Sequence, residues 1–190
     1  MEKKVSIRLS NRHVHLTKEV YELLFDEEMT KRNDLSQPGQ FVSNQKLSIL
    51  VNDKRIDNIV VMGPFREYNQ VEVSMKDARG LGVKPPVRRS GDLNGALDVI
   101  LETPKASVSV KAMILANRHL HISDKDADIL GLKDKQIIQV KIPGDRSGIV
   151  DVEVKTTIDG VMEVHLDTDD GNAFLINDGD EGTLIIWAFS

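Results

Sequence analysis

The chain contains 190 residues, of which 40% are hydrophobic and 29% are charged, a composition that excludes a disordered protein and suffices to bury a core. Its formal charge of −5 provides no global positive field, so we expect no nucleic-acid partner. Cysteine is absent, which excludes disulfides, iron–sulfur clusters and a cysteine nucleophile. No apolar run approaches the ~20 residues of a membrane-spanning helix, so we expect no membrane partner and a cytoplasmic location.

The first predicted elements are a strand, a histidine pair and a short helix. Apolar and polar residues alternate from Val5 to Ser10, which is the period of a half-buried strand. The sequence Asn-Arg-His-Val-His follows at 11–15, and Thr17 stands where the N-cap of a helix belongs. We expect that helix to extend to about Phe25.

The same arrangement recurs in the second half of the chain. Asn-Arg-His-Leu-His stands at 117–121 after a strand-like segment, and Ser123 takes the N-cap position. The helix that follows is expected to reach Leu130 and to be closed by Gly131. The chain therefore contains an internal repeat of strand, His-x-His and capped helix.

Short strand-like segments separated by turn residues dominate the rest of the chain. The expected strands cover 47–51, 59–62, 71–74, 108–115, 137–142, 149–154, 162–166 and 184–187. Lys84–Asp92 is expected to be a connection. The pattern predicts a mainly β protein with short capping helices, built as two related β-rich units that are either small barrels or sandwiches.

Four of the five histidines form the two His-x-His pairs, His13 with His15 and His119 with His121. Alternate side chains of an extended segment share a face, so each pair projects two imidazoles to one side. The alternate residues, such as Val14 and Leu16, face a core. Two neutral imidazoles on one face form a chelating pair for zinc or a similar metal, and each pair needs a third ligand.

Alignment of the repeats supplies a third ligand for each pair. Laying 71–77 over 164–170 places Glu72 opposite His165. A single histidine is more often a surface or hydrogen-bonded residue. The duplicated pairs, with every histidine of the chain accounted for, favour metal binding instead. For Glu72, a solvated strand carboxylate stays an alternative.

Two further segments bear on chemistry. Arg66 follows the turn-prone Gly63–Phe65 and could hold an oxyanion bidentately, with an ordinary surface arginine as the alternative. The acidic Asp167–Asn172 places glycine at the fifth position, where a calcium loop needs it at the sixth, so we interpret it as a solvated turn. The motifs of P-loop enzymes, dinucleotide-binding folds and serine hydrolases are absent, which leaves metal-assisted chemistry.

Six sequence blocks, in order along nearly the whole chain, resemble the PduL-type phosphotransacylases, the phosphate propanoyltransferase family. The blocks are Ser10–Thr17, Leu35–Gln40, Gly63–Arg66, Gln70–Ser74, Ala116–Ser123 and His165–Ala173. In this family the N-terminal strand joins the C-terminal barrel. The resemblance therefore implies two small β-barrels capped by short helices, one of 12–116 and another of 1–11 with 117–190, with a di-metal site between them.

The resemblance also implies two zinc ions or other divalent transition metals and a set of site residues. One metal would bind His13, His15 and Glu72, and the other would bind His119, His121 and His165. Arg66 matches the catalytic, phosphate-binding arginine, and Ser10 and Asn172 match polar residues that line the substrate pocket. Asn33 beside Arg32, and Val60, stand where the family usually carries a lysine and an arginine, and both losses remove cations from a site for an anionic substrate.

The activity that the resemblance implies is reversible transfer of a short acyl group between coenzyme A and inorganic phosphate. The substrates and products would be acyl-CoA, phosphate, acyl phosphate and CoA. We expect direct attack of metal-bound phosphate, because cysteine is absent and all five histidines are predicted metal ligands. A homodimer and a role in propanediol degradation are implied as well. Members of microcompartments carry an N-terminal targeting extension, whereas here only Met1–Lys4 precede the first expected strand.

Two other functions stay open at the level of sequence. A metal-dependent acyl-CoA hydrolase would use the same ligands to activate water and would need no phosphate. A non-catalytic acyl-CoA sensor is suggested by the missing cations at Asn33 and Val60.

Overall fold

The computed structural model describes residues 2–186, and the chain divides into two compact units. The central unit is Asn11–Ala116. The discontinuous unit comprises the described parts of Met1–Ser10 and Asn117–Ser190. Each unit has its own core of buried aliphatic side chains.

Strands account for most of the regular structure. They are β1 Glu2–Ser10, β2 His13–His15, β3 Lys31–Asp34, β4 Phe41–Val51, β5 Lys54–Gly63, β6 Gln70–Glu72, β7 Val87–Arg88, β8 Leu97–Glu102, β9 Ser107–Ala116, β10 His119–Ser123, β11 Ile137–Ile142, β12 Gly148–Thr157, β13 Glu163–Asp167 and β14 Glu181–Ile185. The helices of the described residues are α1 Lys18–Leu24, α2 Met75–Leu81, α3 Asp124–Leu130 and α4 Thr168–Phe174. None of these helices is long and apolar enough to cross a membrane.

Each unit is a closed barrel of six strands. The discontinuous unit has the order β1-β13-β10-β12-β11-β14, and β14 pairs back onto β1. The central unit has the order β4-β5-β2-β6-β9-β8, and β8 returns to β4, while β3 and β7 flank β4 and β9. These barrels and their short helices confirm the predicted fold class.

The two barrels repeat one pairing scheme. Each His-x-His strand, β2 or β10, lies between a parallel neighbour and an antiparallel one. Strand β1 has one parallel and one antiparallel neighbour in the discontinuous unit, and β9 has the same in the central unit. Strand β1 directly precedes β2 in the chain but belongs to the discontinuous unit, whereas β2 belongs to the central unit. Likewise, β9 belongs to the central unit and the next strand, β10, to the discontinuous unit.

Strand alternation places one face of each histidine strand in the core. Val14, Leu16, Leu120 and Ile122 are fully buried, as the alternation predicted. Burial of an aliphatic side chain of this size contributes about 1.5–3 kcal/mol relative to leaving it exposed. The opposite face of each strand is thereby set, since a shift by one residue would exchange the two faces.

The predicted helix boundaries at the histidine repeats are confirmed. The side chains of Thr17 and Ser123 accept hydrogen bonds from the backbone N–H of Val20 and Asp126, and Gly131 closes α3 in the left-handed conformation at φ 66°. The left-handed region carries no steric penalty for glycine.

Several local expectations need correction. The acidic segment that we interpreted as a solvated turn is largely helix α4, because the Asp167 side chain caps it and Asp170 is buried beside an arginine. The strand expected over 71–74 ends at Glu72, since Ser74 caps α2. The connection at 84–92 contains the short strand β7. Trp187, the last residue of the expected strand 184–187, lies outside the described residues.

Candidate metal sites

His13, His15 and Glu72 converge in the central unit. Antiparallel pairing of β2 with β6 places His13 directly opposite Glu72. One nitrogen of each imidazole and one oxygen of the carboxylate lie within 4.8 Å of one another, and His13 Nε2 is 3.5 Å from Glu72 Oε2. The strand pairing therefore brings together the three residues that the aligned repeats predicted for the first metal. We call them the central group.

Neighbouring polar groups orient the central group. The carbonyl oxygen of Asn11 lies 2.7 Å from His13 Nδ1, so Nδ1–H donates to it and Nε2 faces Glu72. Gln70 Nε2 donates to Glu72 Oε1 at 2.6 Å. Gln70 is itself held by the Ser90 hydroxyl and the Gly91 backbone N–H, which fixes the carboxylate orientation.

His119, His121 and His165 converge in the discontinuous unit, and we call them the discontinuous group. Pairing of β10 with β13 places His119 opposite His165. The three ring centroids lie 4.6–5.0 Å apart, and His119 Nε2 is 3.1 Å from His121 Nε2. Two nitrogens bound to one tetrahedral zinc ion lie roughly 3.3 Å apart, given Zn–N bonds of ~2.0–2.1 Å.

His121 of the discontinuous group is held neutral, and His119 is oriented by a backbone carbonyl. Burial, followed by the neighbouring His119 and His165, lowers the pKa of His121 to about 2, so the neutral ring keeps one nitrogen lone pair free for a metal. Its Nδ1 atom is buried without a hydrogen-bond partner among the described residues. The carbonyl oxygen of Asn117 accepts from His119 Nδ1 at 2.9 Å, as Asn11 does for His13.

A buried carboxylate that the sequence did not single out supports His165. Glu163 is 2% exposed, and its Oε1 atom lies 2.9 Å from His165 Nε2. Arg8 Nε donates to the other oxygen at 3.2 Å, and this hydrogen bond is the main reason that the pKa of Arg8 is raised. Alignment of the repeats could have found Glu163, because it occupies the position of Gln70.

The donor sets of both groups fit a borderline divalent cation. Imidazole nitrogen and carboxylate oxygen are the ligands of catalytic zinc sites, which use three protein ligands and leave one position open for a substrate. Hydrogen bonds from a ligand's remaining polar atoms to carbonyl or carboxylate groups are typical around such sites. The central group would hold one ion and the discontinuous group the other.

Arg66 lies in the central unit, on a turn attached to the end of the first histidine strand. Its backbone N–H donates to the Leu16 carbonyl at 2.9 Å, and the Asn69 side chain accepts from Thr17 N at 3.0 Å. The Phe65 ring contacts Tyr21 with a centroid distance of 5.1 Å. The buried Arg66 Nε has no hydrogen-bond partner among the described residues, so this N–H is available to an anion.

The remaining predicted site residues are spread over both units. Ser10 ends β1 and pairs with Asp167, and Asn172 is exposed in α4, so both belong to the discontinuous unit. Val60 pairs with His13 in the central unit, and Asn33 is exposed in β3. The apolar Val60 thus stands directly beside the central group, where the resemblance leads one to expect an arginine.

Fold and side chains together define a two-barrel protein of duplicated design, with a three-residue group of metal-ligand type in each barrel. Residues 6–177 match the model of the phosphate propanoyltransferase family, and the chain belongs to this family. It is 43% identical to the phosphate propanoyltransferase of Thermotoga maritima over 181 residues, which are 93% of this chain and 86% of the relative. It is 40% identical to that of Listeria monocytogenes over 189 residues, 97% of this chain and 89% of the relative. The protein is therefore an acyltransferase, and the resemblance seen in the sequence blocks is confirmed.

Proposed function

We propose that this protein is a zinc-dependent phosphate acyltransferase that interconverts short-chain acyl-CoA and phosphate with acyl phosphate and CoA. The observation that carries the proposal is the family match over residues 6–177, which contains both three-residue groups. A transferase of this kind must bind phosphate and hold it against a thioester, and the central and discontinuous groups supply ligands for cations that attract it.

The proposed metal ligands are the six residues of the two groups. They are His13, His15, Glu72, His119, His121 and His165. When bound, zinc supplies positive charge that attracts phosphate and stabilises the oxyanion formed at the thioester carbonyl. We also propose that the two compact units are the two domains of the enzyme, each with one metal.

Arg66 is proposed to bind the phosphate. A guanidinium presents two parallel N–H donors to a tetrahedral oxyanion, and its charge offsets the repulsion between phosphate and an anionic CoA. The buried and unpartnered Nε supports this role, because a buried donor without an acceptor is costly unless a ligand satisfies it. Ser10 and Asn172 are proposed to line the substrate pocket.

We propose direct transfer without an acyl-enzyme. A covalent route needs an activated nucleophile, but cysteine is absent and all five histidines lie in the two groups. A phosphate oxygen therefore attacks the carbonyl carbon, the C–S bond breaks, and the thiolate leaves and takes up a proton as CoA. Both substrates must be bound before CoA departs.

The test measures thiol release from acetyl-, propionyl- and butyryl-CoA with and without phosphate. We expect release only with phosphate, formation of an acyl phosphate, and initial-rate lines for the two substrates that intersect. Release without phosphate would identify a hydrolase. Binding of acyl-CoA without turnover would identify a sensor, and parallel lines with phosphate-independent CoA exchange would show a covalent intermediate.

The homodimer and the role in propanediol degradation stay predictions that the resemblance implies. The cytoplasmic location stays a prediction from the short apolar runs of the sequence.

A further inference from the structure

The repeated motif Asn-Arg-His-x-His contains an arginine to which the proposed function gives no role. In the discontinuous unit, Arg118 Nε and Nη2 donate to the two carboxylate oxygens of Asp170 at 2.8 and 2.6 Å. In the central unit, Arg12 Nη1 donates to Asp77 at 3.1 Å. Each arginine directly precedes the first histidine of a pair.

The two aspartates are equivalent positions of the repeat. Asp77 follows Glu72 by the same number of residues as Asp170 follows His165. Each stands in the first turn of a short helix, and its backbone N–H donates to the N-cap side chain, Ser74 or Asp167. An ion pair between equivalent positions therefore occurs in both repeats, although the sequence around the aspartates differs between them.

Each ion pair joins the two chain segments that carry one metal group. The arginine adjoins the histidine pair, and the aspartate lies in the helix that begins after the strand of the third residue. Only three residue pairs connect these strands in either unit, β2 with β6 and β10 with β13. The ion pair adds a charged side-chain connection to this short ladder, between the segment of the histidine pair and the segment of the third residue.

The environment of these ion pairs strengthens them. The side chain of Asp170 is 11% exposed and that of Asp77 is 15% exposed, whereas exposed surface pairs contribute little. Arg118 binds both oxygens of its partner, and this hydrogen bonding is the main cause of its raised pKa. Arg12 makes a single hydrogen bond, so the pair in the discontinuous unit is the more rigid one.

We propose that Arg118 with Asp170, and Arg12 with Asp77, are positioning pairs that hold the third ligand of each metal group within binding distance of its histidine pair. This inference rests on the proposed metal function. It assigns the arginine of the repeated motif a role in metal affinity. We expect metal affinity to depend more strongly on the ion pair in the discontinuous unit than on the one in the central unit.

The experiment measures the zinc affinity of one group at a time in the full chain. In a His13→Ala background only the discontinuous group is left to bind zinc tightly. Arg118→Lys keeps the charge but loses the paired N–H donors, and Asp170→Asn removes the acceptor charge. Arg146→Lys, at an exposed arginine of the same unit, is the matched control. Chelator-treated protein is titrated with zinc, and thermal melts are recorded with and without the metal.

We expect Arg118→Lys and Asp170→Asn each to weaken zinc binding on the order of 10-fold. This is the lower end of the loss in metal affinity that is typical when a residue orienting a metal ligand is replaced. The double variant should bind zinc no more weakly than the single variant with the lower affinity, because the two changes remove the same interaction. Arg146→Lys should bind as the background does. In a His119→Ala background, Arg12→Lys should cause a smaller loss at the central group.

Unchanged zinc affinity in both Arg118→Lys and Asp170→Asn would overturn the positioning pairs. So would an equal fall of the melting temperature with and without zinc, because a purely structural ion pair stabilises both forms alike. Failure of the wild-type protein to bind zinc would instead overturn the proposed metal function, and this inference with it. If the wild-type protein binds two zinc ions and the variants keep the zinc affinity of their background, this inference alone is overturned.

Discussion

Each metal group is associated with one carboxylate, but the two carboxylates occupy different positions in the repeat. Glu72 belongs to the central group and receives a hydrogen bond from Gln70. In the discontinuous unit these positions are taken by His165 and Glu163, so the carboxylate supports a histidine instead. The donor atoms of the two groups therefore differ, and Arg8 pairs with the carboxylate of Glu163 whereas the neutral Gln70 donates to Glu72. We therefore expect the two groups to differ in metal affinity and selectivity.

Glu163→Gln tests the supporting carboxylate. The change keeps the shape but removes the charge that accepts from His165, and we expect zinc binding at the discontinuous group to weaken on the order of 10-fold. Zinc competition against a chelating dye measures this loss. Glu181→Gln, which removes only the exposed ion pair with Lys4, is the control and should bind zinc normally. Equal affinities in the two variants would show that Glu163 does not support the site.

Arg66→Lys tests the proposed phosphate-binding role of Arg66. Lysine keeps the positive charge but cannot present two parallel donors, so we expect a higher KM for phosphate and a lower kcat. Steady-state rates at varied phosphate measure both constants. Arg79→Lys, at an exposed arginine of the same unit, should leave both constants unchanged. Phosphate saturation that is unaltered in Arg66→Ala would contradict the proposed role.

At the scale of elements, the short helices depend on their caps. Each helix of the described residues has seven residues, which is too short for stability in isolation. All four follow a strand that carries residues of one of the two groups: α1 follows β2, α2 follows β6, α3 follows β10 and α4 follows β13. Capping side chains satisfy backbone N–H groups at these junctions, so the caps also determine where the strands end.

Ser123→Ala should therefore lower the free energy of unfolding by about 1 kcal/mol, since it removes the oxygen that accepts from Asp126 N–H. Denaturation by urea measures the difference. Ser147→Ala, at an exposed serine in a turn of the same unit, is expected to change stability by less than about 0.5 kcal/mol. Equal stability of the two variants would mean that the cap contributes nothing.

At the scale of the whole molecule, the duplication predicts two metals per chain, one for each barrel. Protein purified without chelator should contain close to two divalent ions, and His13→Ala and His119→Ala should each lower the content by about one. Elemental analysis of the three proteins measures this directly. Removal of the metal should also lower the melting temperature, because an ion that binds only the folded state stabilises it. Protein without stoichiometric metal would contradict the proposed function.

Much of the architecture was determined by the sequence alone, because it depends on local patterns. Alternation around Val14 and Leu120 specifies which face of each histidine strand is buried. Thr17 and Ser123 specify where the following helices begin. The repeated His-x-His pairs indicate the duplication, and aligning the repeats is enough to pair Glu72 with His165.

Only the tertiary structure decided the features that depend on contacts between distant parts of the chain. Asp167–Asn172 is polar enough to suit a solvated turn, yet Asp170 is buried because Arg118, far away in the sequence, neutralises it. Glu163 likewise needs Arg8 from the first strand to offset the cost of burying its charge. Local patterns cannot report such partners, because strand order and register decide which charges meet.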